Sequence, residues 1–482
     1  MNAPLTRTFG VLMLLFGVLV FFTARWTVID RSSLQDNPKN QRALLEQQRV
    51  ARGAIYAADG AVLARSSKRA DGTYSRAYPR AGLFAQTVGY DYLIPGFAGL
   101  ERFYNGPLTG RKSGLSATLR KLQGHGNEGD DLRTSLDPAA QEIATRLLGD
   151  RAGAVVALDP STGRIKVMAS TPGYNPNDLA SATATKALNR ASGAPLLNRT
   201  TVGLYPPGST MKVVAAIAAI DSGRYEPTSV VSGTSPVTIS GTPLANHGGT
   251  DYGNIDLTTA LTQSVNTVWA QVAESLGKPT LRRYMDRLGF GRPIDVDLPA
   301  DERLASGPYC NKGGRRTLVE PTSDCVDIGR TAIGQAKLLA TPLQMAQVAA
   351  SVANRGVLMQ PMIATRALDR DGRTTLQNEP RELSRVMSRA TAEKVTAMMT
   401  KVVGEGTGTA AALSGLGITV AGKTGTAEID VARNITQPWF IAFAPADNPR
   451  VASAVTLEHT IGGFGGTDAA PIAKAVMESL LQ

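Results

Sequence analysis

The chain has 482 residues, a formal charge of +11, 43% hydrophobic residues, two cysteines and three histidines. Its length suits about two to four domains, and its apolar fraction excludes a disordered chain. Two cysteines exclude a disulfide scaffold, the scattered His125, His247 and His459 offer no metal site, and the dispersed Lys and Arg fit an anionic surface better than nucleic acid.

The first element is a helix. Thr8–Ala24 is free of charge over seventeen positions and is flanked by Arg7 and Arg25, with Trp26 placed as an interfacial anchor. At about 1.5 Å per residue this reaches the lower limit for crossing a bilayer core. A buried core helix would show a polar face, and this stretch has none. A cleaved signal peptide would end in a small-x-small site, which Phe22–Thr23–Ala24 is not. An uncleaved signal anchor over residues 8–26 is the favoured reading, with residues 1–7 as a short tail. Charge does not orient it, because Arg25, Arg31, Lys39 and Arg42 outnumber Arg7, and long domains translocate largely regardless of charge.

Leu34–Val50 reads as a short polar helix, and Arg52–Tyr56 begins a strand pattern with a hairpin signal at Asp59–Gly60. Gly110–Asp131, rich in Gly, Lys and Arg, reads as a loop or linker. From Leu132 the texture changes. Asp137–Pro138 starts a helix, followed by the strand AGAVVALD, a turn at Pro160–Gly163 and the strand RIKVMAS. Thr341–Pro342 opens a helix that stops at Arg355–Gly356, and the end of the chain reads strand, strand, helix (WFIAFAP, RVASAVTLE, APIAKAVMESLL). Residues 132–482 are therefore expected to form one α+β domain with an antiparallel sheet, preceded by a non-catalytic region over 27–131.

Three motifs carry chemistry. Tyr205–Pro206–Pro207–Gly208–Ser209–Thr210–Met211–Lys212 leads into the apolar helix VVAAIAAI. Ser209 and Lys212 then share a helix face, and burial would lower the lysine pKa enough for it to take a serine proton. The helix N-terminus favours the negative charge that develops beside Ser209. Ser264–Val265–Asn266 is the second motif; its ends point together only on an extended or turned chain, and the competing reading makes Ser264 a helix N-cap. The third is Lys423–Thr424–Gly425–Thr426. Gly417–Thr424 matches a phosphate-loop pattern, yet Ile418, Thr419 and Val420 are β-formers and no apolar helix follows. As an edge strand the segment places Lys423 in a cleft, puts Thr424 and Thr426 on one face, and lets a peptide backbone approach Gly425.

Ser-x-x-Lys, Ser-x-Asn and Lys-Thr-Gly in this order mark the penicillin-binding proteins and related β-lactamases. The chain resembles a class B penicillin-binding protein of the actinobacterial penicillin-binding protein A type, also through Arg52–Ala64, Gly153–Ser170, Ala340–Gly356 and Ala421–Glu428. The resemblance implies a membrane anchor, an elongated β-rich pedestal and a serine transpeptidase domain whose central antiparallel sheet is flanked by helices. It implies a serine-type D-Ala-D-Ala transpeptidase that cross-links peptidoglycan stem peptides and is acylated by β-lactams. Ser209 would be the nucleophile, Lys212 its base and Ser264 a proton relay, although which group is the base is disputed across the superfamily. Asn266 would hold the donor peptide, Lys423, Thr424, Gly425 and Thr426 would bind its terminus, and the backbone N–H groups of Ser209 and Thr426 would hold the oxyanion. No cofactor or metal is implied.

This chemistry places the catalytic domain on the cell-wall side of the cytoplasmic membrane, with the N-terminus inside. It implies as partners a polytopic membrane glycosyltransferase and the division or elongation machinery. In that oxidising setting Cys310 and Cys325 are candidates for a disulfide, with two free thiols as the alternative. A D,D-carboxypeptidase, or a non-enzymatic β-lactam sensor or scaffold of the same fold, remains the alternative function. A β-lactamase would rarely carry an anchor and pedestal, and residues 24–132 are too short for a glycosyltransferase domain.

Overall fold

A computed structural model describes residues 3–26, 49–92, 95–110 and 128–482. Most of the helix expected at Leu34–Val50 and most of the Gly110–Asp131 linker lie outside the described residues, and Arg49–Val50 are not helical. Helix α1, Ala3–Ala24, contains a span at Thr6–Ala24 long and apolar enough to cross a membrane. Its side chains from Thr6 onward are exposed, which removes the reading as a soluble core helix.

The hairpin signal at Asp59–Gly60 is realised. Ile55–Tyr56 pairs antiparallel with Val62–Lys68, Gly60 has φ +87°, and the Asp59 carboxylate accepts from Ala61 N–H at 2.8 Å. These strands belong to a six-stranded sheet in the order Thr374–Gln377, Ala364–Leu368, Asp131–Thr134, Ile55–Tyr56, Val62–Lys68, Tyr74–Ala77. The hairpin at 364–377 comes from the C-terminal part of the chain and completes the N-terminal sheet. Beside this sheet Arg52 and Arg76 clamp the fully buried Glu101, with Nε–Oε distances of 2.5 and 2.6 Å. Burial alone would raise the Glu101 pKa, but the two guanidinium groups hold it below the ordinary value.

The second sheet is the centre of the C-terminal part. Its main strands are β1 (Gly153–Leu158), β2 (Ile165–Thr171), β3 (Ala421–Asp430), β4 (Ile435–Ala444) and β5 (Val451–Leu457), antiparallel throughout in the spatial order β3-β4-β5-β1-β2. Alternation along each strand divides the apolar side chains between two cores. Val155, Ala157, Phe440 and Ala442 face helices α2 (Pro138–Leu148) and α7 (Ala470–Leu481). Val156, Leu158, Trp439 and Ile441 face the larger core built by α3 (Lys212–Asp221), α4 (Asn266–Leu276), α5 (Pro342–Ala353) and α6 (Arg389–Gly404). This is an α+β fold with a helix-flanked antiparallel sheet.

The predicted caps explain where two of these helices begin. Asp137 accepts from Ala140 N–H ahead of Pro138, and Thr341 accepts from Gln344 N–H ahead of Pro342. Cys310 and Cys325 form a disulfide with a sequence separation of 15. Replacing both by Ser is expected to cost about 3 kcal/mol by the loop-closure argument. The denaturant midpoint of the C-terminal part should fall accordingly, and an unchanged midpoint would contradict that contribution.

Candidate active site

Ser209 lies on a 3₁₀ turn, Gly208–Met211, that runs directly into α3. Pro206 and Pro207 each disfavour helical backbone at the residue before them, so the helix does not extend backwards through them. In the 3₁₀ turn residues three apart eclipse, which places Ser209 and Lys212 over one another more closely than an α-turn would. The turn is held from three sides. Gly208 N–H donates to Gly334 O at 2.9 Å, Trp439 Nε1–H donates to Pro206 O at 2.9 Å, and the Thr210 hydroxyl donates to Pro207 O at 2.6 Å. Gly208 has φ +54°, and a Cβ there would meet the backbone of Thr426 and Ala427 at 3.0–3.2 Å. The same close approach brings the residue preceding Ser209 against the backbone of Thr426.

Ser264 adopts φ +59°, a left-handed conformation that costs a non-glycine residue about 1–3 kcal/mol. That turn ends the N-cap reading. The N-cap of α4 is Val265, without a side-chain cap, and the Ser264 hydroxyl is turned instead toward two lysines. Lys212 Nζ lies 2.5 Å from Ser264 O, 2.7 Å from Asn266 Oδ1 and 3.2 Å from Ser264 Oγ. Lys423 Nζ lies 3.0 Å from Ser264 Oγ, 3.0 Å from Thr424 O and 3.4 Å from Thr424 Oγ1. One serine hydroxyl therefore joins two fully buried amines.

Burial is the main cause of both lysine shifts. Lys212 is held well below its ordinary range by burial and then by the charge of Lys423, while burial brings Lys423 to about 7. The N-terminal position of Lys212 in α3 adds to the same effect, since that end of a helix disfavours a cation. When Lys212 is neutral, its two N–H groups go to the carbonyl oxygens of Ser264 and Asn266, which can only accept. Its lone pair is then free for a hydroxyl proton. A charged Lys423 donates to Ser264 Oγ from the other side, so the geometry permits a directed path from Lys423 through Ser264 to Lys212.

Lys423–Thr426 lies on β3 at the edge of the sheet, in an extended strand that leaves no phosphate-binding loop. Gly425 is required by close packing, since a Cβ would lie 2.8 Å from Pro207 O. The Thr426 hydroxyl accepts from Gly465 N–H at 3.2 Å. Among the described residues, the half-buried Ser209 hydroxyl has no hydrogen-bond partner. Thus Ser209, Lys212, Ser264, Asn266, Lys423, Thr424, Gly425 and Thr426 converge, while Cys310 and Cys325 lie on the segment leading to Gly334.

Two groups of residues at the site carry no local sequence signature. Glu458 at the end of β5 receives hydrogen bonds from the Tyr205 hydroxyl and from Arg199 Nε, bracing the segment that enters the Ser209 turn. Thr407, on the loop after α6, bonds the Thr424 hydroxyl at 2.6 Å. The glycines around Thr407 mark a loop in the sequence but do not say what it touches.

The family model of the penicillin binding protein transpeptidase domain matches residues 153–478, and that of the penicillin binding protein A dimerisation domain matches 52–132. The peptidoglycan D,D-transpeptidase PbpA of Mycolicibacterium smegmatis is 33% identical over 510 residues, covering 100% of this chain and 99% of the relative. The penicillin G acyl-enzyme complex of penicillin-binding protein A from M. tuberculosis superposes with TM-score 0.79 at 31% identity, covering 90% of this chain and 100% of that one. Pseudomonas aeruginosa PBP2 in complex with WCK 5153 superposes with TM-score 0.72 at 29% identity, covering 89% of this chain and 95% of that one. With the three motifs brought together and the likeness running the full length of the chain, the protein belongs to the penicillin-binding protein transpeptidase family and is of the penicillin-binding protein A type.

Proposed function

We propose that the protein is a peptidoglycan D,D-transpeptidase working through an acyl-enzyme on Ser209. The observation that carries this reading is the Ser264 hydroxyl held between the buried amines of Lys212 and Lys423, with Ser209, whose hydroxyl has no hydrogen-bond partner among the described residues, on the turn that leads into Lys212. Ser209 Oγ attacks the carbonyl carbon between the two terminal D-alanines of a donor stem peptide, and Lys212 takes its proton. The oxyanion is held by the backbone N–H groups of Ser209 and Thr426, each donor contributing about 3–4 kcal/mol. The C–N bond then breaks, and a proton passes through Ser264 to the departing D-alanine amine. An amine from a neighbouring stem peptide attacks the ester carbonyl carbon, the bond between that carbon and Ser209 Oγ breaks as the new amide forms, and the proton lost by the attacking amine passes to Oγ. Asn266 orients the donor amide, and the Lys423–Thr426 strand receives its carboxylate end.

A β-lactam enters the same path, but its leaving amine stays tethered to the acyl group. α1 anchors the protein in the cytoplasmic membrane with the N-terminus inside and the C-terminal domain on the cell-wall side, where the substrate is. Residues 27–131 belong to the pedestal, whose sheet is completed by the strand through Thr134 and the 364–377 hairpin, and the rest of 132–482 belongs to the transpeptidase domain. A polytopic glycosyltransferase of the division or elongation machinery supplies the glycan strands.

Incubation of the full-length protein with nascent glycan strands is expected to yield cross-linked muropeptide dimers, lost on addition of penicillin. Release of D-alanine with only shortened monomeric stems would replace this reading by a D,D-carboxypeptidase.

A further inference from the structure

The loop after α6, Glu405–Gly408, spans the site between two of its motifs. Gly406 sits against Thr262, two residues before Ser264, where a Cβ would lie 2.7 Å from the Thr262 carbonyl oxygen. One residue on, Thr407 Oγ1 is 2.6 Å from Thr424 Oγ1. From the far side the Gly465–Gly466 turn closes on the loop, so that a Cβ on Gly466 would meet Thr407 O at 2.4 Å. The loop is thus fixed against the Ser264 segment, the β3 edge and the 464–467 turn.

Proton accounting decides what the Thr407 hydroxyl can do. In its charged form Lys423 has three N–H groups, and Ser264 Oγ, Thr424 O and Thr424 Oγ1 accept all three. The buried ammonium therefore has no N–H left for a ligand. Thr424 is 2% exposed, so its proton needs a protein acceptor, and among the described residues only Thr407 Oγ1 is in reach. Thr424 consequently donates to Thr407. The proton of the half-buried Thr407 then has no protein acceptor among the described residues and is available to a ligand. The donation runs from Lys423 to Thr424 to Thr407, carrying the polarity of the buried cation outward to a hydroxyl on the loop.

We propose that Thr407 is a further substrate-binding residue, whose hydroxyl donates a hydrogen bond to the terminal carboxylate of the donor peptide. The proposal rests on the transpeptidase reading above and adds to it a contact from outside the three motifs. It also explains how a lysine with every N–H committed to the protein serves an anionic substrate: its charge acts through two hydroxyls.

The test uses the full-length protein in detergent and two acyl thioesters, identical except that the thiol leaving group carries a carboxylate or its methyl ester. Thr407→Val keeps the shape and removes the donor. It is expected to lower the acylation efficiency of the carboxylate thioester about tenfold to a hundredfold, as the loss of a hydrogen bond to a charged group requires. The methyl ester should stay within about twofold of wild type, and Thr407→Ser should restore the carboxylate preference. Equal losses on both thioesters, or no loss on either, would overturn the role of Thr407. Thr407→Ala gives the same comparison if the valine variant is unstable. Failure of the underlying reading looks different, because wild type and Ser209→Ala would then turn over both thioesters alike.

Discussion

Ser209→Ala is expected to abolish covalent labelling by a fluorescent penicillin, a loss of about 10⁴-fold or more in acylation rate. The size of the effect follows from the absence of a substitute. The Ser264 hydroxyl is engaged by two amines, the Thr210 hydroxyl is buried and bonded to Pro207 O, and the Thr424 hydroxyl is buried and bonded to Thr407. Among the described residues of the site, Ser209 is the one that combines a hydroxyl without a hydrogen-bond partner, a place on the turn opening a buried helix, and a lysine one turn on. Its substitution should leave the fold intact, because Oγ gives up no hydrogen bond and such changes usually stay within about 0.5 kcal/mol. An unchanged melting temperature with labelling lost separates chemistry from folding. Labelling of the variant at the wild-type rate would refute the assignment of the nucleophile.

The legible part of this site was its local part. Ser209 and Lys212 could be paired from their spacing and from the prolines that force a turn, and β3 could be read as a strand from Ile418, Thr419 and Val420 upstream of it. Caps gave two helix starts because Asp137 and Thr341 each stand directly before a proline. Ser264 is less legible, since Ser before an apolar stretch reads equally as an N-cap. Only the tertiary demand of Lys212 and Lys423 selects the left-handed turn.

Contacts of large sequence separation had no local signal at all. The 364–377 hairpin joins the N-terminal sheet through pairing with Asp131–Thr134, and its own alternation is silent about which sheet it enters. Thr407 meets Thr424 because Gly406, Gly408 and Gly466 are small enough for three segments to converge. A glycine-flanked threonine reveals a loop, and its partner is fixed by packing.

The second large effect concerns protons. Acylation by a penicillin is expected to follow a bell-shaped pH profile in wild type, and Lys212→Met should reduce it by about 10²–10⁴-fold, the range of general-base catalysis. Both lysines are fully buried, and the charge on Lys423 pushes Lys212 further down, so Lys212 loses its proton first as pH rises. The rising limb therefore marks the appearance of a neutral Lys212 able to take the Ser209 proton. The falling limb marks loss of the Lys423 charge, which lies at about 7 in the free protein. Because Ser264 couples the amines, the two limbs belong to the pair, with macroscopic values. A bound carboxylate stabilises the Lys423 cation, so the falling limb should move to higher pH in kcat than in kcat/KM. The lowering of the Lys423 pKa by burial also fixes the sign of a stability change. Between about 7 and its ordinary 10.5, Lys423 binds a proton in the unfolded chain but not in the folded one, so stability contributed by this group rises with pH across that window. A flat acylation profile from about pH 5 to 9, or a Lys212→Met variant within tenfold of wild type, would rule out the paired-lysine account.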